Sequence, residues 1–256
     1  MFSEKKTFSA LTIAMNNIGR SFSWLFYSGI GIYMLVFFSV MTHVKKMYET
    51  GLEYTCADVF TECMSGYYVY LFFLPVGMFL RQRITGNSED IQLYLRYGKR
   101  SAVWKNNVMY SLIISLIFTV IVIAAVYITA LLLCRDKINW GVMNSIYYQS
   151  CGNTNESMSF SGTVLISTLF VFITMLSVSI AMQAAEIVSK VLSWILMIAY
   201  TGLNLRGPLA LCNYNISYQS YNNIRTFLLI QLVKIAFAVI AYFIGRTLIR
   251  KKDFYE

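Results

Sequence analysis

The sequence predicts an all-α membrane protein with six membrane-spanning helices. Hydrophobic residues make up 57% of the 256 residues and charged residues only 13%, whereas a soluble domain is about half apolar and ~25% charged. The apolar residues are gathered in long runs close to the ~20 residues needed to cross a bilayer. Because open strands would leave backbone groups unpaired in lipid, these runs are predicted to be helices.

The six apolar runs follow one another with short polar links. The first has no formal charge, the second ends at Arg81, and the third is long enough to be tilted. The fourth and fifth are separated by a tight Gln-Ala-Ala-Glu link, and the sixth has one charge, at Lys234. We expect a single domain over residues 1–256, with spans at about 22–42, 64–80, 108–133, 163–182, 187–205 and 226–247.

The positions of lysine and arginine orient these spans. An even number of spans places both termini on one side of the membrane. That side holds most of the 21 lysine and arginine residues, in the N-terminal segment, the 81–107 loop, the fourth-to-fifth link and the C-terminal tail. Positive residues favour the cytoplasmic side. We therefore expect a multi-pass protein of the cell membrane with both termini in the cytoplasm.

An amphipathic helix is predicted ahead of the first span. Its apolar residues recur at helical spacing and therefore share one face; they are Phe8, Leu11, Met15 and Ile18. A basic amphipathic segment of this kind lies in the headgroup layer with its apolar face towards the lipid. The alternative is that the segment is only the polar lead-in of the first span.

A second amphipathic helix is predicted inside the 81–107 loop, with Ser88 as its N-cap. Acidic residues occupy its first turn, where the helix dipole favours them, and apolar residues share one face. These residues are Glu89 and Asp90, then Ile91, Tyr94 and Leu95. Two roles fit this pattern, which are packing on the membrane surface and docking into a cleft of a soluble partner. Trp104, further along, is expected to anchor the third span at the membrane interface.

Lys234 is the only formal charge well inside a predicted span, and Gln231 lies one turn away. Charges inside a membrane normally face a cavity or a partner. Lys234 and Gln231 are therefore predicted either to line a translocation path for an anionic or amphipathic cargo or to pack within the bundle. Glu186 and Lys190, four residues apart, are expected to pair on a helix surface.

The five cysteines lie in or beside predicted outward segments, where disulfides persist. Cys134 and Cys151 bracket one loop and are our first expected disulfide, the alternative being ordinary thiols, since connectivity cannot be read from sequence. There is no CxxC pair and His43 is the only histidine, so no metal site is predicted. The chain also lacks paired carboxylates within its spans and an HExxH motif, and we expect no enzymatic activity in it.

The chain resembles the transmembrane subunit of an ABC exporter of the ABC-2 type, a family with six spans and separately encoded ATPase subunits. Three stretches carry the likeness, over an architecture that agrees along essentially the whole length. They are the N-terminal helix at 7–20, Ile91-Gln-Leu-Tyr-Leu-Arg-Tyr-Gly-Lys-Arg100 ahead of Trp104, and the closing Ile249-Arg-Lys-Lys-Asp-Phe254.

This resemblance implies a role for three segments. The 7–20 helix would be the elbow helix, the 206–223 loop would match the family's outward re-entrant elements, and the 88–97 helix would be the coupling helix that binds the ATPase. The coupling residues would be Glu89, Asp90, Ile91, Tyr94, Leu95, Arg96 and Tyr97.

The resemblance also implies the function and the partners. The chain would couple ATP hydrolysis in separate P-loop ATPase subunits to export of an amphipathic cargo, such as a peptide, a bacteriocin-like toxin or a lipid-like compound. It would pair with a second permease subunit, the same or similar, in membrane lipid and without nucleic acid. ATP and Mg would bind in the partner and no cofactor in this chain, which has no GxxxxGK[ST] loop. The alternative is a non-transporting integral membrane factor, such as an immunity, assembly or sensor protein.

Overall fold

The computed structural model describes residues 19, 21–85, 100–205 and 216–251. These residues are all-helical and contain no β-strand, which confirms the predicted all-α class. The helices are α1 (Phe22–Glu49), α2 (Cys56–Cys63), a π-helical segment (Tyr67–Phe73), α3 (Leu74–Thr85), α4 (Arg100–Leu133), α5 (Ile146–Cys151), α6 (Phe160–Glu186), α7 (Lys190–Leu205), α8 (Tyr218–Asn222) and α9 (Ile224–Lys251).

Four helices are long and apolar enough to cross a membrane, namely α1, α4, α6 and α9. A fifth crossing results if α2 is counted together with the π-helical segment and α3. α7 corresponds to the predicted span 187–205 but has 16 residues, a length of ~24 Å, which is less than the ~30 Å hydrocarbon core. The described residues therefore support four to five crossings, and six crossings stay a prediction.

The second predicted span, 64–80, coincides with the π-helical segment and part of α3, and α2 lies ahead of it and meets this helical pair at a bend of 60°. α2 begins at Cys56 because Thr55 and Asp58 form a capping box, in which the Asp58 carboxylate accepts the Thr55 N–H at 2.9 Å. The π-helical segment then leads into α3. Segments of this kind interrupt regular helices and are frequent at functional sites.

α6 is the central helix of the bundle, since α9, α4, α7 and α2 all pack against it. Its second half is buried almost continuously from Ser177 to Ala185. Around it, Phe118 of α4 and Phe73 of the π-helical segment belong to one buried apolar cluster. The sites described below are held by this core.

Trp104 of α4 is not exposed as an anchor in the headgroup layer would be, because it is 1% exposed and packs against α6 and α9. The packing depends on Gly245 of α9. A Cβ atom at Gly245 would lie 2.1 Å from Cη2 of the Trp104 ring, so only glycine fits there without a shift.

The outer faces of the helices are covered with large apolar side chains, which is typical of a surface that faces lipid. Examples are Phe22, Phe26 and Phe38 of α1, Ile195 and Ile198 of α7, and Leu229, Leu232 and Phe243 of α9. This surface is compatible with a membrane protein.

Charged residues are sorted between the two ends of the bundle. At one end, Arg83 of α3 lies 5.3 Å from the ring centroid of Trp24 in α1, and Trp104 meets Gly245. We call this the basic end; its described cations are Arg81, Arg83, Lys105, Lys190, Arg246, Arg250 and Lys251. The opposite end has charges of both signs, including Asp58, Glu62, Asp136, Glu156, Arg135 and Lys137.

Candidate functional site

A buried polar centre lies between α9, α6 and the π-helical segment. Lys234 is 2% exposed, and its Nζ donates to Thr174 Oγ1 at 3.0 Å and to the Tyr70 hydroxyl at 3.4 Å. The same Nζ lies 4.1 Å from the centroid of the Phe170 ring, where the negative face of the ring attracts a cation. Polar groups on three helical segments therefore converge on one ammonium.

The sequence places polar groups at this centre through helical spacing. Along α6, buried hydroxyl residues recur on one face; they are Thr163, Ser167, Thr174 and Ser177. On α9, Gln231 lies one turn before Lys234 and is 3% exposed. Neither amide atom of Gln231 has a hydrogen-bond partner among the described residues. A buried amide without partners costs ~1–3 kcal/mol and calls for an explanation.

The two residues predicted to line a translocation path are thus both buried and on one face of α9. Three clefts at the surface of the described residues are lined by other side chains. The bundle is closed around Lys234 in this conformation, so the path through Gln231 and Lys234 stays a prediction.

A second buried polar group, Asp58, lies at the opposite end. The Asp58 side chain is completely buried. Its Oδ2 accepts from Thr55 N at 2.9 Å and Thr55 Oγ1 at 2.6 Å, and its Oδ1 accepts from Trp140 Nε1 at 2.9 Å and the Tyr218 hydroxyl at 3.1 Å. Charge-assisted bonds are the stronger ones. Asp58 therefore joins α2 to the α4–α5 loop and to α8.

An aromatic cluster surrounds this carboxylate, formed by Trp140, Tyr147, Tyr218 and Tyr221. Trp140 stacks on Tyr147 with centroids 4.7 Å apart and contacts Tyr221 at 5.0 Å. Burial and then the Asp58 charge raise the pKa of Tyr218, and burial raises the pKa of Tyr221 to about 12. The phenols are therefore neutral at physiological pH. Residues 216–223 of the predicted 206–223 re-entrant segment contain α8, which packs on α5.

A cleft of about 460 Å³ lies beside the aromatic cluster, between α1 and the π-helical segment. It is lined by Leu35, Ser39, His43, Glu62, Ser65, Tyr67, Tyr68 and Phe72. His43 Nδ1 lies 2.7 Å from Glu62 Oε1, and Tyr54 donates to the same carboxylate. A carboxylate that receives Nδ1–H fixes the imidazole tautomer and leaves Nε2 as an acceptor.

At the basic end, Glu186 pairs with Arg81, and the helix that Glu186 and Lys190 were expected to share is not formed. α6 ends at Glu186 and α7 begins at Lys190, so the two residues do not share a helix. Arg81, which is 1% exposed, donates to Glu186 instead, and Gln82 Nε2 donates to the same carboxylate at 3.2 Å. This ion pair ties the end of α3 to the end of α6.

The residues predicted for the elbow and coupling helices lie outside the described residues. They are Phe8, Leu11, Met15 and Ile18 for the elbow, and Glu89, Asp90, Ile91, Tyr94, Leu95, Arg96 and Tyr97 for the coupling helix. Thr85 and Arg100, which flank the second group, are the last residue of α3 and the first of α4.

The expected disulfide between Cys134 and Cys151 is absent, since both residues are free thiols. Cys134 instead lies beside Cys56, since Cys134 N and Cys56 Sγ both donate to the carbonyl oxygen of Ala130. The position of Cys134 and Cys151 on either side of one loop therefore did not identify the cysteine that lies next to Cys134.

Sequence reasoning missed Asp58, Glu62 and Trp140, because the second span was taken to begin at Met64 and the residues before it were treated as a loop. A local signal was present. Thr55 and Asp58 stand three residues apart ahead of an apolar stretch, which is the pattern of a capping box. That pattern would have placed a helix start at Cys56 and both carboxylates on it.

Comparison of the chain with protein-family models, with curated proteins and with solved structures finds no match in any of the three.

Proposed function

We propose that this chain is the membrane-spanning permease subunit of an ABC exporter of the ABC-2 type. The observation that carries the proposal is the basic end of the bundle. α3 ends there and α4 begins there, and the intervening segment 86–99 contains the sequence predicted to form the coupling helix. In this proposal two such permease subunits pair, and each binds a separate P-loop ATPase.

The distribution of charge supports a cytoplasmic location for the basic end. Because lysine and arginine favour the cytoplasmic side, the basic end faces the cytoplasm, where an ATPase has access to ATP. Arg81 lies on α3 only a few residues before segment 86–99 and pairs with Glu186 of α6. A displacement of the segment by the ATPase would therefore reach the central helix of the bundle through a buried ion pair, as rigid-body switching requires.

Lys234 and Gln231 support an amphipathic or anionic cargo. An ionisable residue near the middle of a membrane is costly and normally serves a pathway or a partner. In the closed bundle the ammonium is held by Thr174 and Tyr70. An outward-open conformation would exchange these contacts for polar groups of the cargo.

One observation favours the alternative of a non-transporting membrane factor. Thr174, Tyr70 and Phe170 already surround the ammonium within this chain, which also suits a lysine that fixes the packing of three helical segments. The two functions differ in whether an ATPase is bound.

Co-purification tests the proposal. We expect the protein, extracted in detergent from its own host, to retain a P-loop ATPase that peptide mass spectrometry identifies by its phosphate-binding loop. The double variant Tyr94→Asp, Leu95→Asp should lose that ATPase, because two carboxylates replace the apolar face of the predicted helix.

The matched control is Gln92→Asp, Lys99→Gln, which changes the net charge by the same amount at one position off the apolar face and one position just beyond that helix. The control should keep the ATPase, and both variants should keep the melting temperature of the wild type. Wild-type protein without an ATPase would refute the exporter assignment. Retention in the Tyr94, Leu95 variant would refute the coupling role of 88–97.

A further inference from the structure

Cys56 and Cys134 meet at the opposite end of the bundle, where α2 begins beside the end of α4. Cys56 is the first residue of α2, and Cys134 directly follows the last residue of α4. Two backbone bonds hold these segments together, from Cys56 N to Asp136 O at 2.9 Å and from Ala57 N to Lys137 O at 3.0 Å. The start of α2 is therefore fixed against the chain that leaves α4.

Both cysteines contact the same backbone carbonyl. Cys56 Sγ donates to the carbonyl oxygen of Ala130 at 3.5 Å, and Cys134 N donates to the same oxygen at 3.0 Å. A disulfide needs two cysteines that lie at close range, and the shared carbonyl brings the Cys56 thiol next to Cys134.

The thiols differ in access to solvent. Cys56 is 1% exposed, whereas Cys134 is partly exposed. An oxidant therefore reaches Cys134 first, and Cys56 is placed behind it. Cys56 also occupies the first turn of α2, and a helix N-terminus stabilises a thiolate.

We propose that Cys56 and Cys134 form a redox-modification site that becomes a disulfide by exchange with a low-molecular-weight disulfide. The interaction with Cys56 and burial raise the pKa of Cys134, so its thiolate is the minor form, but it is the thiol that the reagent reaches. That thiolate attacks one sulfur of the reagent, which forms a mixed disulfide and releases the first reagent thiolate. The Cys56 thiolate then attacks Cys134 Sγ, which forms the Cys56–Cys134 bond and releases the second. The reagent accepts two electrons, and the two protons of the cysteines go to its two thiolates.

The remaining described cysteines are less suited to this exchange. Cys63 is completely buried at the end of α2, and Cys151 lies on another helix, at the end of α5. The bond would join α2 covalently to α4 on the far side of the 60° bend. This inference stands whether or not the chain is an exporter subunit, because it uses only the purified protein and its thiols.

The experiment uses the full-length protein in detergent and oxidised glutathione as the probe. Free thiols are then blocked with N-ethylmaleimide, and the protein is digested without reductant after acidic residues, since cleavage at Glu62 separates Cys56 from Cys63. We expect a peptide pair linked through Cys56 and Cys134, with two fewer alkylated thiols than in untreated protein. Reductant should restore both.

Single variants identify the order of attack. Cys56→Ser should keep one glutathione on Cys134, whereas Cys134→Ser should leave Cys56 unreacted. Cys63→Ser and Cys151→Ser are the matched controls and should still give the linked pair. If the wild-type digest contains no Cys56–Cys134 peptide, or contains Cys134 linked to Cys151, the assignment is wrong, and this result does not depend on how any variant folds.

Discussion

Replacement of Gly245 by alanine tests the packing of α4 against α9. A Cβ atom at this position would lie 2.1 Å from Cη2 and 2.3 Å from Cζ2 of the Trp104 ring. Carbon atoms in contact are normally ~3.5 Å or more apart, so the ring would have to move by roughly 1.4 Å. Trp104 is 1% exposed, with Ala184 and Ile249 in the same buried cluster, so little free space is available.

The expected loss follows from two opposing effects. Alanine in place of glycine within a helix gains ~1 kcal/mol from helix propensity. Overpacking of a buried site costs ~1–3 kcal/mol, and a rigid ring that is packed on both sides favours the upper part of that range. We therefore expect Gly245→Ala to lower the free energy of unfolding by ~1–2 kcal/mol.

The measurement is denaturant or thermal unfolding of the purified protein in detergent, followed by circular dichroism. Gly31→Ala in α1 is the matched control, because a Cβ there meets nothing within 4 Å, and it should be neutral or slightly stabilising. In a Trp104→Leu background the ring is gone, and Gly245→Ala should cost nothing. If Gly245→Ala is tolerated as well as Gly31→Ala in the wild type, α4 and α9 do not meet at this point.

Two further substitutions test the buried polar groups. Asp58→Asn should lower the free energy of unfolding by ~2–4 kcal/mol, because the amide NH₂ would face either the Thr55 donors or the donors of Trp140 and Tyr218. Thermal melting measures this loss, with the exposed substitution Glu156→Gln as the control. Equal melting temperatures of the two variants would contradict the prediction. Lys234→Met should alter cargo transport while expression and melting temperature stay at wild-type values, since replacing a buried cation by an apolar side chain of similar size is often neutral for stability. Transport assays of Lys234→Met and of the lipid-facing control Leu232→Met test this prediction. Loss of both transport and stability in Lys234→Met would instead indicate a purely structural lysine.

The sequence predicted helices where apolar runs are long, and α1, α4, α6 and α9 are all present. Their ends were less predictable. α1 continues to Glu49 rather than to the predicted 42, because a helix does not have to stop where the hydrocarbon stops and Lys45, Lys46 and Glu49 are good helix formers. Hydropathy sets the minimum length of a span, and the polar residues beyond it set the actual end.

The segment ahead of the second span shows a different limit. Hydropathy predicted the run at 64–80, which coincides with the π-helical segment and part of α3, but it did not predict α2, the short helix on the other side of the 60° bend. α2 is capped by Thr55 and Asp58 and is also held by donors from Trp140 and Tyr218, distant in the sequence. Only the capping pair could be read locally.

Trp104 shows the limit of residue-type rules. Tryptophan beside lysine and arginine at the start of a span is typical of a membrane interface, and that rule placed Trp104 in the headgroup layer. The structure buries it because Gly245, far along the chain, leaves a space of the right size. No periodicity in either helix reports this match, since it is a property of two surfaces brought together by the fold.

The sequence identified Lys234 as a candidate site residue because of its charge, but the role of Lys234 depends on three neighbouring residues that the sequence pattern does not reveal. Thr174, Tyr70 and Phe170 come from two other helical segments, so the environment of the ammonium depends on how α6, α9 and the π-helical segment are arranged. An exporter must rearrange such segments in every cycle, and that rearrangement would exchange the partners of Lys234. A fixed assembly or immunity factor would keep them. The contacts of this one ammonium in two nucleotide states of the full complex therefore distinguish a transporter from a static membrane protein.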